Sequence, residues 1–145
     1  MDVDALEVEL TDAPSEADVA VLTARLVDFN RPYMGPADLR RLGVLARSND
    51  KLVGGLAGMT ARGFLFVDLL WVAADERRTG LGSRLLRTAE QEAVARGCHA
   101  VQVETFDFQA RPFYERHGYR VVGELAGFPN GHVRFTLLKA LGRDA

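Results

Sequence analysis

The sequence predicts a single α/β domain spanning residues 1–145, built on a mixed sheet of about seven strands. Two observations support this prediction. The run Phe64–Val72 is almost entirely apolar, as in a strand buried within a sheet, and an amphipathic helix follows from Leu81. Near the C-terminus, two strand-like segments flank Asn130 and Gly131, a pair typical of hairpin turns. A chain of 145 residues is long enough for one compact core.

The N-terminal part of the chain predicts one strand and one or two helices. Leu6–Leu10 alternates apolar and acidic residues, which indicates a first strand. Ser15 opens a capping pattern, and the residues after it recur at helical spacing. Arg31–Gly35 contains a proline and a glycine and is expected to break this helix. Ala37–Leu42 fits a short second helix.

A hairpin precedes the apolar strand. Leu42–Arg47 and Leu52–Thr60 are strand-like and are joined by a polar turn. The apolar strand itself is expected to be covered on both faces, with Asp68 as its one charged residue. Three glycines weaken the second strand and indicate that something packs closely against its backbone: Gly54, Gly55 and Gly58.

The helix after the apolar strand is the best-defined element. Its apolar residues repeat at helical spacing, and Gly97 is well placed to end it. A strand over Ala100–Thr105 and a short helix over about Ala110–His117 come next. The chain then closes on a hairpin formed by Tyr119–Phe128 and His132–Leu138.

The composition excludes several classes of function. The formal net charge is -2, with 18 basic residues scattered among 20 acidic ones, so no basic face for nucleic acid is indicated. Cys98 is the only cysteine, which excludes an internal disulfide, and no zinc-ligand spacing is present. No apolar run is long enough to span a bilayer, and the N-terminus lacks a signal-peptide pattern. We therefore expect a cytoplasmic protein that binds no metal, nucleic acid or membrane.

The turn between the apolar strand and the long helix has the features of an anion site. The first turn of a helix has N–H groups without intrahelical acceptors, at the positive end of the helix dipole. Gly80 and Gly82 remove side chains that would keep a phosphate at a distance, and Arg77 and Arg78 add mobile donors. The spacing is neither that of a dinucleotide-binding loop nor that of a P-loop. Taken alone, the turn is explained equally well by tight packing of strand and helix with solvated arginines.

Two separated motifs resemble those of the GNAT N-acetyltransferase superfamily. Arg77-x-x-Gly80-x-Gly82 matches the family's Arg/Gln-x-x-Gly-x-Gly/Ala motif, and the order of elements agrees along nearly the whole chain. The resemblance implies a strongly twisted sheet with helices on both faces, and direct transfer of an acetyl group from acetyl-CoA to an amine. The second motif, similar to the family's Ala-x-x-Phe-Tyr-x-x-x-Gly-Phe/Tyr segment, consists of Ala110, Phe113, Tyr114, Gly118 and Tyr119.

The resemblance also implies which residues hold acetyl-CoA. The turn would bind the pyrophosphate, and the backbone of a bulged, splayed apolar strand would pair with the pantetheine and acetyl groups. Leu69, Leu70 and Trp71 are explained equally well as core. Asp107 stands where many relatives have an asparagine on the pantetheine arm; because an aspartate cannot donate an amide hydrogen bond, Gln109 is the alternative. The implied contacts are Leu70, Trp71, Val72, Arg77, Arg78, Thr79, Gly80, Leu81, Gly82, Ser83, Asp107, Gln109 and Phe113.

Tyr114 corresponds to the tyrosine that commonly protonates the departing thiolate in this family. A phenol with a pKa of about 10 can donate to a thiolate whose conjugate acid has a pKa of about 8 to 9. The helix pattern alone would favour a core tyrosine beside Phe113. An amine acceptor must also lose a proton, and Asp68 is the leading candidate base, directly or through a water. It would otherwise only hold a neighbouring strand, and Glu104 and Asp107 are alternatives.

Two histidines are secondary candidates for the site, and a non-catalytic function is the alternative to an enzyme. His117 is expected to be a cation at the end of its helix, and His132 a residue at the acceptor mouth. The alternative to an enzyme is a non-catalytic CoA-binding module, against which the presence of Tyr114 and the whole phosphate turn argue. Direct transfer is expected because Cys98 lies after the long helix. Acidic candidates favour a cationic amine of a small molecule or peptide, and the resemblance implies that a homodimer can form.

Overall fold

The computed structural model describes residues 5–142 and divides into two compact units, Met1–Ala37 and Asp38–Ala145. In the first unit, α1 spans Glu16–Met34. The Ser15 hydroxyl oxygen accepts a hydrogen bond from the Asp18 N–H at 3.0 Å, which confirms the predicted helix cap.

Three predictions for this part of the chain are wrong. Leu6–Leu10 forms no strand, since alternation specifies a strand only where a partner strand supplies the ladder hydrogen bonds. The helix α1 runs through Pro32, at the cost of one helical hydrogen bond, and is capped instead by Gly35, where φ is 76°. Ala37–Leu42 is not a helix, because a strand begins at Arg40 and pairs with the next strand of a hairpin.

The second unit contains a six-stranded mixed sheet. The strand order is β1-β2-β3-β4-β6-β5. The central pair β3 and β4 is parallel and all other neighbours are antiparallel, so the predicted mixed sheet is confirmed with one strand fewer. The strands are β1 (Arg40–Ser48), β2 (Lys51–Ala61), β3 (Phe64–Val72), β4 (Ala100–Phe106), β5 (Arg120–Leu125) and β6 (Arg134–Ala140).

Two helices of this unit pack against the sheet, α2 over Leu81–Ala95 and α3 over Arg111–Arg116. The core strand residues alternate along β3 and β4, so they share one face of the sheet with both helices. None of the helices among residues 5–142 has the length and hydropathy of a membrane-spanning segment. The buried core includes Leu56, Leu65, Val67, Leu85, Leu86, Ala89, Ala93, Val101, Val103, Tyr114 and Leu137.

The two hairpin predictions have different outcomes. Asn49 and Asp50 join β1 to β2 with φ values of 51° and 67°, as a two-residue hairpin turn requires. Asn130 and Gly131 also have positive φ values, 60° and 76°. They lie in a longer connection over residues 126–133, because β5 ends and β6 begins several residues away. The predicted pairing of the last two strands is therefore confirmed, and the prediction of a tight turn between them is wrong.

A buried charged group ties α2 to the last strand. Glu90 is 8% exposed and accepts a hydrogen bond from the Tyr119 hydroxyl at 2.6 Å. The Lys139 ammonium lies 3.0 and 3.1 Å from its two carboxylate oxygens. Because each charge is paired and hydrogen-bonded, the group is compatible with its burial.

Candidate active site

A groove opens where the two parallel strands separate. β3 and β4 pair only over Phe64–Val67 and Ala100–Val103. Beyond this point β3 continues to Val72 in contact with β2, and β4 continues to Phe106 in contact with β6. Among the residues that the structure describes, no strand fills the gap between them. Their facing edges therefore present backbone N–H and C=O groups that a ligand can bind.

A bulge at Asp68 marks the point of separation. In the β2–β3 ladder, Gly58 pairs with Val67 and Ala57 with Leu69, so Asp68 is an extra residue in β3. A Cβ on Gly58 would collide with the carbonyl of Phe66. The close approach expected at this glycine-rich strand is thus confirmed.

The bulge also corrects one prediction about β3. The strand was expected to be covered on both faces, but Leu69 is 68% exposed and Trp71 is 52% exposed. The extra residue reverses the alternation, so that Leu70 and Val72 pack against the core instead. The far end of β3 therefore has one half-buried face and one open face.

The turn before α2 leaves a set of backbone donors without intrahelical acceptors. The first intrahelical hydrogen bond runs from the Arg84 N–H to the Gly80 carbonyl, at 3.1 Å. Gly80 has a φ of 84°, and a Cβ there would meet no atom within 4 Å, so the space in front of it is open. A Cβ on Gly82 would lie 3.5 Å from the ring of Phe113 and 3.8 Å from Val72. The turn thus lies beside both the end of β3 and α3.

Two side chains of this turn form local hydrogen bonds with backbone carbonyls. Arg77 donates a hydrogen bond from Nε to the carbonyl of Val72 at 3.2 Å. Thr79 donates from its hydroxyl to the carbonyl of Glu76 at 2.6 Å. Arg78 has a φ of 69°, the left-handed region that few residues other than glycine adopt. Nε of Arg77 is therefore engaged at the end of β3, and the expectation that Arg77 and Arg78 donate to a phosphate stays a prediction.

Tyr114 lines a cavity in the groove. Its side chain is buried, and the hydroxyl forms no hydrogen bond with another residue in the range 5–142. A cavity of about 150 Å³ is lined by Tyr114 together with Asp68, Leu70 and Glu104. Burial raises the pKa of Tyr114 to about 12. The phenol is therefore protonated at neutral pH and can act only as a proton donor.

The three candidate bases differ in their partners. Glu104 pairs with Arg134, with 3.2 Å between Oε2 and Nε. Asp107 lies 2.7 Å from Nδ1 of His132 and also accepts the N–H of Val133 at 3.1 Å. The side chain of Asp68 is exposed, lines the cavity and has no hydrogen bond or ion pair with any described residue. Of the three, only Asp68 has no hydrogen-bond or ion-pair partner among the described residues.

The two residues considered for the pantetheine arm are both engaged locally. Burial alone would raise the pKa of Asp107, but hydrogen bonds from His132 and from the Val133 and Phe108 N–H groups hold it below its usual range. Gln109 lines the cavity, and its Oε1 accepts the Phe106 N–H at 2.8 Å. Its amide nitrogen is left as a donor, which Asp107 cannot supply.

His117 differs from the sequence prediction. It follows α3 as its C-cap residue, but burial lowers its pKa, and its Nε2 lies 2.8 Å from Ser83 Oγ at the start of α2. The expectation of a helix-terminal cation is therefore wrong: the imidazole is neutral at pH 7 and joins the two helices that border the groove.

An aromatic cluster that the sequence pattern did not indicate lies beside the groove. Phe106 and Phe108 stack with ring centroids 5.5 Å apart, and Phe128 meets Phe106 at 4.8 Å. His132 contacts Phe108, with centroids 4.7 Å apart. On β4, Phe106 lies two residues from the cavity-lining Glu104 and therefore on the same face. The signal was two phenylalanines around Asp107, which is weak without the spatial position of residues 128–132.

No cluster of three or more histidine, cysteine, aspartate or glutamate side chains suited to a metal occurs among residues 5–142. A larger cavity, about 520 Å³, lies between β1 and the start of α2, and it is lined by residues such as Arg47, Thr79 and Arg84. Neither Tyr114 nor Asp68 lines it. The chemistry-bearing side chains are therefore gathered in the smaller groove between β3 and β4.

Comparisons with known proteins agree with this geometry. The family model described as the acetyltransferase (GNAT) family matches residues 8–119. An acetyltransferase of Agrobacterium fabrum is 39% identical over 120 residues, covering 82% of this chain and 87% of that protein. A blasticidin-S acetyltransferase of Streptomyces morookaense is 48% identical over 92 residues, covering 63% of this chain and 68% of that protein.

Solved structures share the fold. The crystal structure of an acetyltransferase from Bacillus cereus superposes with a TM-score of 0.80 at 26% identity, covering 92% of this chain and 98% of that one. An aminoglycoside 6'-N-acetyltransferase complexed with coenzyme A superposes with a TM-score of 0.62 at 21% identity, covering 89% and 96%. Together with the family match, these relatives show that the chain is an acyltransferase of the GNAT acetyltransferase family.

Proposed function

We propose that the protein transfers the acetyl group of acetyl-CoA to a cationic amine of a small molecule. The observation that carries the proposal is the groove between β3 and β4, which has Tyr114 and Asp68 in one cavity. Asp68 stands at the bulge where the strands part, and Tyr114 reaches the same cavity from α3. A proton donor and a proton acceptor thus flank the place where an acyl group can react.

The residues present fit acetyl-CoA. The open space in front of Gly80, and the free N–H groups from there to Ser83, form a cradle for a pyrophosphate. The unpaired edge of β3 near Leu70 would bind the pantetheine arm, and Phe113 and Gln109 would border it. When bound, acetyl-CoA supplies an activated acyl group whose C–S bond breaks as the C–N bond of the product forms.

Tyr114 would supply the proton that the leaving sulfur needs. Its pKa of about 12 keeps the phenol protonated, and its hydroxyl has no competing acceptor among the described residues. Because this pKa lies above that of a thiol, about 8.5, the phenol would act mainly by donating a hydrogen bond to the negative charge that develops on sulfur in the same cavity. Removing the hydroxyl would therefore slow the chemical step without removing a structural hydrogen bond.

Asp68 would receive the proton that the acceptor amine must lose. An ammonium with a pKa of about 10 has no free lone pair at neutral pH, so a base is needed before attack. Glu104 is paired with Arg134, and Asp107 with His132, whereas Asp68 is unpaired within residues 5–142. A carboxylate this close to the acyl position also attracts a cationic substrate.

A small-molecule acceptor is supported by the relative that is 48% identical over 92 residues, which is named a blasticidin-S acetyltransferase. The aromatic cluster of Phe106, Phe108 and Phe128 continues the same face of β4 beyond Glu104 and offers a wall for such a molecule. The groove therefore combines the unpaired carboxylate of Asp68, which can act as a base, with an apolar side wall.

The proposal is tested by thiol release from acetyl-CoA across a panel of amines that includes blasticidin S, aminoglycosides and lysine-containing peptides. We expect turnover with a small cationic amine, a fall in kcat of about 100-fold in Tyr114→Phe, and a comparable fall in Asp68→Asn. Equal turnover in all three proteins would refute both roles. Binding of CoA without turnover on any amine would point to a non-catalytic module.

A further inference from the structure

A hydrogen bond joins the two helices that border the proposed cosubstrate groove. The imidazole of His117 lies with Nε2 2.8 Å from Ser83 Oγ, across 34 residues of sequence. The same ring packs on Phe113, with centroids 4.8 Å apart, and Phe113 faces Gly82. Because Ser83 is the third residue of α2, the contact fixes the first turn of that helix, where the pyrophosphate would bind.

The charged groups around His117 set its state in the free protein. Burial lowers the pKa of the imidazole, the Glu90 carboxylate opposes this effect, and three cations reinforce it. Glu90 is itself engaged by the Tyr119 hydroxyl and the Lys139 ammonium. The imidazole is therefore neutral near pH 7. The cations are Lys139 from β6, Arg87 from α2 and Arg116 from α3.

The protonation state of His117 decides what the Ser83 hydroxyl can do. A neutral imidazole at Nε2 either donates to Oγ or accepts from the hydroxyl, depending on its tautomer. An imidazolium can only donate, which leaves the serine hydrogen free for another acceptor. Protonation also places a positive charge beside the N-terminal turn of α2. Both effects favour an anion bound there.

We propose that His117 is a positioning residue for the pyrophosphate of the cosubstrate: it directs the Ser83 hydroxyl toward the phosphate and gains a proton when the phosphate binds. This inference rests on the proposed acetyl-CoA groove. The bound anion stabilises the imidazolium, so the pKa of His117 is higher in the complex than in the free protein. By linkage, phosphate affinity rises as the pH falls from the pKa of the complex toward that of the free protein.

The test is calorimetric titration of the protein with dephospho-CoA between pH 8 and pH 5.5. This probe retains the pyrophosphate but lacks the 3'-phosphate, a monoester that itself titrates near pH 6. We expect the affinity of the wild type to rise about tenfold over this range, as a pKa difference of about one unit implies. Repeating the titration in buffers of different ionisation enthalpy should show uptake of a fraction of one proton.

Three variants separate positioning from packing. In His117→Gln the amide retains a neutral donor, so affinity at pH 8 should stay within about threefold of the wild type while the rise at low pH disappears. In His117→Phe the contact with Phe113 remains but the donor is lost, so affinity should fall at every pH. His99→Gln is the control, since that ring packs on Phe64, outside the groove, and its pH profile should match the wild type.

The outcomes are distinct from those that test the proposed function. An unchanged pH profile in His117→Gln, or the same profile with pantetheine, which has no phosphate, would overturn the role of His117 while leaving the proposed activity intact. Failure of the wild type to bind dephospho-CoA at any pH would overturn the proposed groove and this inference with it.

Discussion

Tyr119→Phe should destabilise the protein without slowing its chemistry. The substitution removes a single oxygen that donates a 2.6 Å hydrogen bond to Glu90, a carboxylate only 8% exposed. Hydrogen bonds to charged groups contribute about 1.5 to 3 kcal/mol, so we expect a loss of about 2 kcal/mol in the free energy of unfolding. Lys139 remains paired with Glu90, which limits the loss. For a chain of this size the midpoint temperature should fall by roughly 4 to 8 °C.

Tyr114→Phe is the matched control, because the two tyrosine rings lie 5.5 Å apart in one core and only Tyr119 has a described partner for its hydroxyl. Urea unfolding followed by circular dichroism should show less than about 1 kcal/mol of change in Tyr114→Phe. Thiol release should show the reverse order, with the larger loss of kcat in Tyr114→Phe. Equal destabilisation by both substitutions would refute the assignment of a free hydroxyl to Tyr114.

Two further predictions concern a glycine pair and an acidic side chain. Gly80 and Gly97 have φ values of 84° and 85° in open space, so alanine at either position should lower the free energy of unfolding by about 1 kcal/mol. Only Gly80→Ala should also weaken CoA binding, by about tenfold in calorimetry. Equal CoA affinities of the two variants would contradict the proposed pyrophosphate site at Gly80. The pKa of Asp107 is depressed in the folded protein. Its carboxylate therefore contributes to folding stability at pH values above its unfolded-state pKa of about 3.9, and this contribution is lost as the pH falls through its folded-state pKa. The gap in urea midpoint between wild type and Asp107→Asn should therefore be present at about pH 5 and narrow as the pH falls below about 4; a gap that does not narrow with falling pH would count against the His132 contact.

The sequence predicted those parts of the fold in which the pattern is local. The limits of β3 were predicted correctly because a run of apolar residues between turns is sufficient to define a buried strand. Leu6–Leu10 shows the opposite case, since its alternation is as regular but no described strand pairs with it. Asn130 and Gly131 adopted the backbone conformation predicted for them, while the length of their loop depends on where β5 and β6 stop pairing.

The sequence could indicate candidate-site positions where a physical requirement is met by only one residue type. Gly80 is an example, because positive φ and open space leave few alternatives to glycine. The state of His117 was not predictable, since its pKa depends on burial and on charges that come from three different elements. The same limit applied to Asp107, whose partner His132 is 25 residues away in the sequence.

The bulge at Asp68 connects the apolar core to the proposed chemistry. Before it, Leu65 and Val67 face the core; after it, Leu70 and Val72 do, so one extra residue keeps the strand buried while changing its direction. The same residue ends the pairing of β3 with β4 and thereby opens the groove. An apolar side chain at this position would satisfy the fold equally well, because the position is exposed. The proposed role of Asp68 as a base therefore depends on its location at the split, where we propose that the amine meets the acyl group.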